Sequence, residues 1–145
     1  MLQRLLDTMS AARHQRRADR ITLASARSRA ARGSAYLDMM DPGWRTRINA
    51  STLELADGAH CVLGQLHGEF RAGLLRTRVW DGSSAPSMRL FNSVSPEDLG
   101  FRAVSDSGDE LAALDYAFLN RAWREEIAES APVPAPVSAP LAAVA

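Results

Sequence analysis

The chain has 145 residues, enough for one modest domain with extensions. Hydrophobic residues make up 46% and charged residues 23%, and 17 basic residues balance 17 acidic ones, so net charge directs the chain to neither nucleic acid nor a membrane. The single cysteine, Cys61, excludes an internal disulfide framework and a cysteine zinc cage, and no apolar run approaches the roughly 18 residues of a membrane span.

Every basic residue is arginine, and alanine is abundant. A GC-rich genome explains both; selection for bidentate phosphate or carboxylate contacts would also favour arginine, whose planar fork suits them. The opening Met1-Leu2-Gln3-Arg4-Leu5-Leu6-Asp7 lacks a sustained apolar stretch and a cleavage site, so no secretory signal is expected. The expected setting is the cytoplasm of a bacterial cell, or a virion if the protein is structural.

Charge is unevenly distributed. Residues 1–33 hold eight arginines and two aspartates, a net +6; residues 34–128 hold nine arginines and fourteen carboxylates, a net −5. The first segment has no proline, and its first glycine is Gly33, which predicts one long helix capped there. At about 100° per residue, Leu2, Leu5, Leu6 and Met9 share a face, and Arg13, Arg16, Arg17, Arg20 and Arg27 continue it. Such a stripe is either a solvated extension whose first turns pack on the body or a cationic rail for phosphates or an acidic protein surface.

The body is expected to begin near Ser34, with a short helix ended by the turn signal Asp41-Pro42-Gly43 and Trp44 and Ile48 facing inward. A core helix is expected from about Ala59 to Leu75, with Asp57 as its cap. Leu63, Leu66, Phe70 and Leu74 mark its buried face. Gly64, Gly68 and Ala72 form a second line at four-residue spacing, read as close internal packing or as a partner interface. Residues 78–91 contain two β-prone runs, predicting a short β-ribbon or an ordered loop. Ser95-Pro96-Glu97-Asp98 opens another short helix stopped by Gly100.

The capping box Ser107-Gly108-Asp109-Glu110 starts the last helix, expected to reach Glu129. Its apolar residues fall on two faces, Leu111, Leu114, Phe118 and Ala122 on one, Tyr116, Leu119, Trp123 and Ile127 on the other. Tyr116, Leu119 and Trp123 are therefore candidates for a protein interface beside Gly64, Gly68 and Ala72. The proline- and alanine-rich residues 129–145 predict a disordered or polyproline-like tail. The expected fold class is mainly α: a basic helical arm (1–33), a helical core domain (34–128) and a flexible tail (129–145).

Catalytic signatures are missing. His60 and His67 are separated by about 10.5 Å along one helix, too far to share a metal readily. Cys61 lies in an apolar run and reads as a packed thiol. No phosphate loop, nucleophile elbow or zinc-protease pattern occurs. A non-enzymatic protein without cofactor or metal is the expectation.

Pro42-Gly43-Trp44, Arg47-Ile48, Leu53, Leu55 and the string Cys61-Val62-Leu63-Gly64-Gln65-Leu66, followed by Gly68, Phe70 and Gly73, resemble a family of small proteins carried by actinobacterial phages and prophages. Ala122-Trp123-Arg124-Glu125-Glu126-Ile127 is similar to the way members of that family end. The resemblance spans about residues 34–128 and implies a provenance, with no established activity; many members lack a basic arm and a tail of this kind. Three functions are carried forward. The first is a protein-binding accessory factor, with an unidentified protein as partner. The second is nucleic-acid binding through the arginine stripe, and the third is self-assembly, including a virion component, with the basic arm of one copy on the acidic C-terminal half of another.

Overall fold

The computed structural model describes residues 1–79, 94–104 and 110–129. The described residues are mainly helical and contain no strand. Five helices follow in order: α1 (Leu2–Arg20), α2 (Leu23–Met40), α3 (Val62–His67), α4 (Phe70–Thr77) and α5 (Glu110–Glu129), with a 3-10 turn at Trp44–Arg47 between α2 and α3. Most of the expected β-prone segment, the capping box at 107–109 and the tail beyond Glu129 lie outside the described residues.

The expected continuous helix over residues 1–33 is instead two helices. Ile21 and Thr22 leave helical geometry, and the Thr22 hydroxyl oxygen accepts a hydrogen bond from the Ser25 N–H at 3.0 Å, capping α2. Gly33 does not end a helix; it lies buried inside α2. A Cβ there would sit 2.0 Å from the Leu99 carbonyl oxygen and 2.8 Å from the Trp123 ring, so glycine is what lets the chain cross α2 at this point. The packed body therefore begins at Ile21, which is buried, and not at Ser34.

α2 and α5 form the principal helix pair. Ala26, Ala30, Gly33 and Leu37 recur at three- and four-residue spacing on the buried side of α2. The facing side of α5 buries Ala112, Leu119, Ala122 and Trp123. Residues 96–101 lie against both helices, and Gly100, at φ +69°, brings its backbone close to Arg29 and Ala30. The short helix expected there is a run of turns, with the Ser95 hydroxyl accepting from the Asp98 N–H.

Trp123 organises the core. Its indole N–H donates to the Gly100 carbonyl at 2.7 Å, its ring stacks on Phe101 at 5.5 Å, and Trp44 meets it edge-on at 5.9 Å. Trp44 donates in turn to Asp38, which also receives Arg45, and together they hold that carboxyl below its ordinary range.

The expected helix over 59–75 divides at Gly68, which takes φ +90° and ends α3. Asp57 caps the turn before it, accepting from the Ala59 and His60 N–H groups, while the Cys61 sulfur is the side-chain cap of α3. α3 and α4 then pack against each other, with Gly73 so close to Leu63 that a Cβ would lie 2.5 Å from the leucine Cβ. Leu63 and Leu74 are buried and Leu66 and Phe70 partly so, as their spacing predicts. Arg78, the first residue of the β-prone segment, is the left-handed cap of α4.

Candidate functional site: an exposed arm and an acidic groove

α1 buries no residue. Leu2 is 78% exposed, Leu5 65%, Leu6 55% and Met9 48%, so one stripe of large apolar side chains faces solvent. Further along the same face, Arg13, Arg16, Arg17 and Arg20 make no ion pair with any described residue. The polar contacts of α1 are local: the Thr8 hydroxyl donates to the Arg4 carbonyl, and Gln15 donates to Asp19. A single helix of this length is marginal in water by itself, because helical stability in proteins comes mostly from a packed face.

Arg27 does not continue the stripe. It lies on α2, beyond the break, and donates to both carboxylate oxygens of Glu125 at 2.8 and 3.0 Å. That guanidinium, aided by Arg121, lowers the Glu125 carboxyl to about 2. Around the pair, Ser28, Ala31, Ala122, Glu126 and Glu129 line an open groove of about 620 Å³ between α2 and α5. Glu126 and Glu129 form no ion pair with any described residue.

The proposed interface residues fare differently. Leu119 and Trp123 are fully buried and Tyr116 is half-buried against the core, so that face of α5 is internal. Gly64 is buried beneath the backbone of Gly58 and Ala59, Gly68 is the helix break, and Ala72 lies on the next helix; the three form no continuous surface line. The other face of α5 reaches solvent at Leu114, 45% exposed.

A feature the sequence reading passed over is a buried ion pair. Arg29 on α2 donates to the two carboxylate oxygens of Asp115 on α5 at 3.1 and 2.5 Å, with the arginine side chain 2% and the aspartate 0% exposed. The Val104 N–H donates to the same carboxylate at 2.9 Å, and the Arg29 Nε has no partner among the described residues. Each residue interrupts an apolar helical stripe, Arg29 between Ala26 and Gly33 and Asp115 between Ala112 and Leu119. A charge inside such a stripe on two helices is the signal that pairs them.

A smaller cleft of about 190 Å³ is lined in part by Leu55, Cys61, Phe70, Arg102 and Tyr116. Burial raises both the Cys61 thiol and the Tyr116 phenol, which keeps each protonated and weakly nucleophilic near neutrality. Burial lowers the His67 imidazole below its ordinary range, and its Nε2 lies 3.8 Å from Asp41, beyond hydrogen-bond reach. Among the described residues no group of three metal-ligating side chains converges, and no helix is long and apolar enough to cross a membrane.

The fold and the site define a small all-α protein whose first helix stands away from the packed body. Comparison with protein-family models, curated proteins and solved structures finds no match to this chain.

Proposed function

We propose that the protein is a non-enzymatic protein-binding factor that engages its partner through α1. The observation that carries this is the exposed stripe of Leu2, Leu5, Leu6 and Met9, continuous with four arginines that form no ion pair with any described residue. A helix laid in a groove is recognised through apolar anchors at three- and four-residue spacing, and the arginines would match acidic groups beyond the apolar part of that groove. Phosphate binding is the second reading, supported by the same four arginines; it leaves the leucines without a role, and α1 has no Phe, Tyr or Trp for base stacking. The resemblance of residues 34–128 supports an accessory role in an actinobacterial phage or prophage. The setting proposed with it is the host cytoplasm, or a virion if the protein is structural.

The test is a photo-crosslinking amino acid placed at Leu5, and at Ala11 on the opposite side of α1, in the cell that naturally produces the chain. Protein adducts from position 5 and few from position 11 are expected. Adducts to nucleic acid alone, or none from either position, would overturn the reading.

A further inference from the structure

α1 and α5 carry the same two-part stripe in the same direction. In α1, Leu5 is followed eleven positions later by Arg16, Leu6 by Arg17 and Met9 by Arg20. In α5, Leu114 is followed eleven positions later by Glu125 and Phe118 by Glu129, with Glu126 alongside. At 1.5 Å per residue both helices pass from apolar to charged over about 16 Å, and the charges are of opposite sign. Laid parallel in one register, they set Leu5 beside Leu114, Met9 beside Phe118, Arg17 beside Glu126 and Arg20 beside Glu129. On the α5 side Leu114 is exposed, Phe118 is partly buried against the core and offers only its outer edge, and Glu126 and Glu129 line the open groove without an ion pair to any described residue.

We propose that α1 of one copy seats along α5 of a second copy, and that the exchange is reciprocal, giving a two-fold dimer. This rests on reading α1 as a docking arm and names its partner. The linker explains why the arm serves another copy. Between α1 and α2 stand only Ile21 and Thr22, both β-branched, with Ile21 buried in its own body and Thr22 extended at φ −137°. Folding α1 back on its own body would require a reversal within these two residues, neither of them glycine, and short unfavourable hinges of this kind favour exchange between copies. Arg27 is bonded to Glu125 and reaches Glu129 only through space, so the arm's arginines meet glutamates that form no ion pair with any described residue.

Sedimentation equilibrium of the full chain across a salt series tests this, with the variants R17E/R20E and E126R/E129R. These positions are not in the buried core, and circular dichroism checks that the fold is kept. The wild type is expected to dimerise at low salt and to dissociate as salt rises. Each reversed variant alone should associate at least roughly tenfold more weakly, because its arm and groove then carry like charges. Mixing the two variants should restore the dimer, since one interface pairs two reversed surfaces and the other two natural ones.

A wild type that stays monomeric at low salt overturns the exchange. So does a mixture that stays monomeric while a single chain carrying all four reversals regains wild-type behaviour, which would mean that the arm closes on its own body. The failures are separable. A monomer whose Leu5 position still crosslinks another protein keeps the docking arm and loses the second copy as its partner.

Discussion

The Arg29–Asp115 pair gives the sharpest test of how the body holds together. Asp115→Ala removes the carboxylate and leaves a guanidinium that is 2% exposed with no counter-charge, together with the Val104 N–H, which loses its acceptor. Breaking a buried pair from one side costs about 3–5 kcal/mol, and the orphaned backbone donor adds about 1–3 kcal/mol where water cannot reach it. Against a total stability of roughly 5–15 kcal/mol, that is enough to lower the unfolding midpoint by roughly 10 °C or more. Arg29→Met should cost about 3 kcal/mol, because Asp115 keeps only the Val104 hydrogen bond. The double variant Arg29→Met/Asp115→Leu removes both charges, so it should be far less destabilised than the two single losses added together. Urea unfolding followed by tryptophan fluorescence reads these values, since Trp44 and Trp123 are both buried. An Asp115→Ala loss below about 1 kcal/mol, or a double variant equal to the sum of the singles, would refute the assignment of this pair as a coupled, desolvated unit.

Four further outcomes follow from the same geometry. Gly33→Ala should destabilise by about 3 kcal/mol or more in the same unfolding assay, since its Cβ would meet the Leu99 carbonyl, a backbone atom that side-chain rotation cannot move. In high salt, where the chain is monomeric, removing residues 1–20 should change the stability of the body by less than about 0.5 kcal/mol, because α1 buries nothing within its own chain. Carboxyl NMR should find Glu125 titrating near 2, and Arg27→Gln should move it toward its ordinary 4.5. Because the folded-state value is depressed, this group's contribution to stability is present above pH 4.5 and is lost as pH falls toward 2. The His67 imidazole, also depressed on folding, should titrate below 6.5 by NMR; its contribution is present above 6.5 and is lost as pH falls through the folded value.

The sequence alone determined the helical class, the turn at Asp41-Pro42-Gly43, the inward Trp44, the helical state of residues 110–129 and the apolar-to-basic stripe of α1. These are local matters, because helical periodicity, turn residues and charge order are set within a few positions. Tertiary structure decided what each face meets. Trp123 and Leu119 read as an available surface until residues 96–101 and α2 are seen to cover them, and that contact joins positions far apart in the chain. The sequence reads Gly33 as a helix end and Gly68 as a helix-interior packing residue, and the structure reverses both: Gly68 takes the left-handed turn while Gly33 makes room for a crossing backbone. Arg27 and Arg29 likewise share a helix and a charge; the first pairs at the surface with Glu125 and the second is buried on Asp115. A residue's type sets what it can bond, but its burial and its partner depend on which distant segment folds against it.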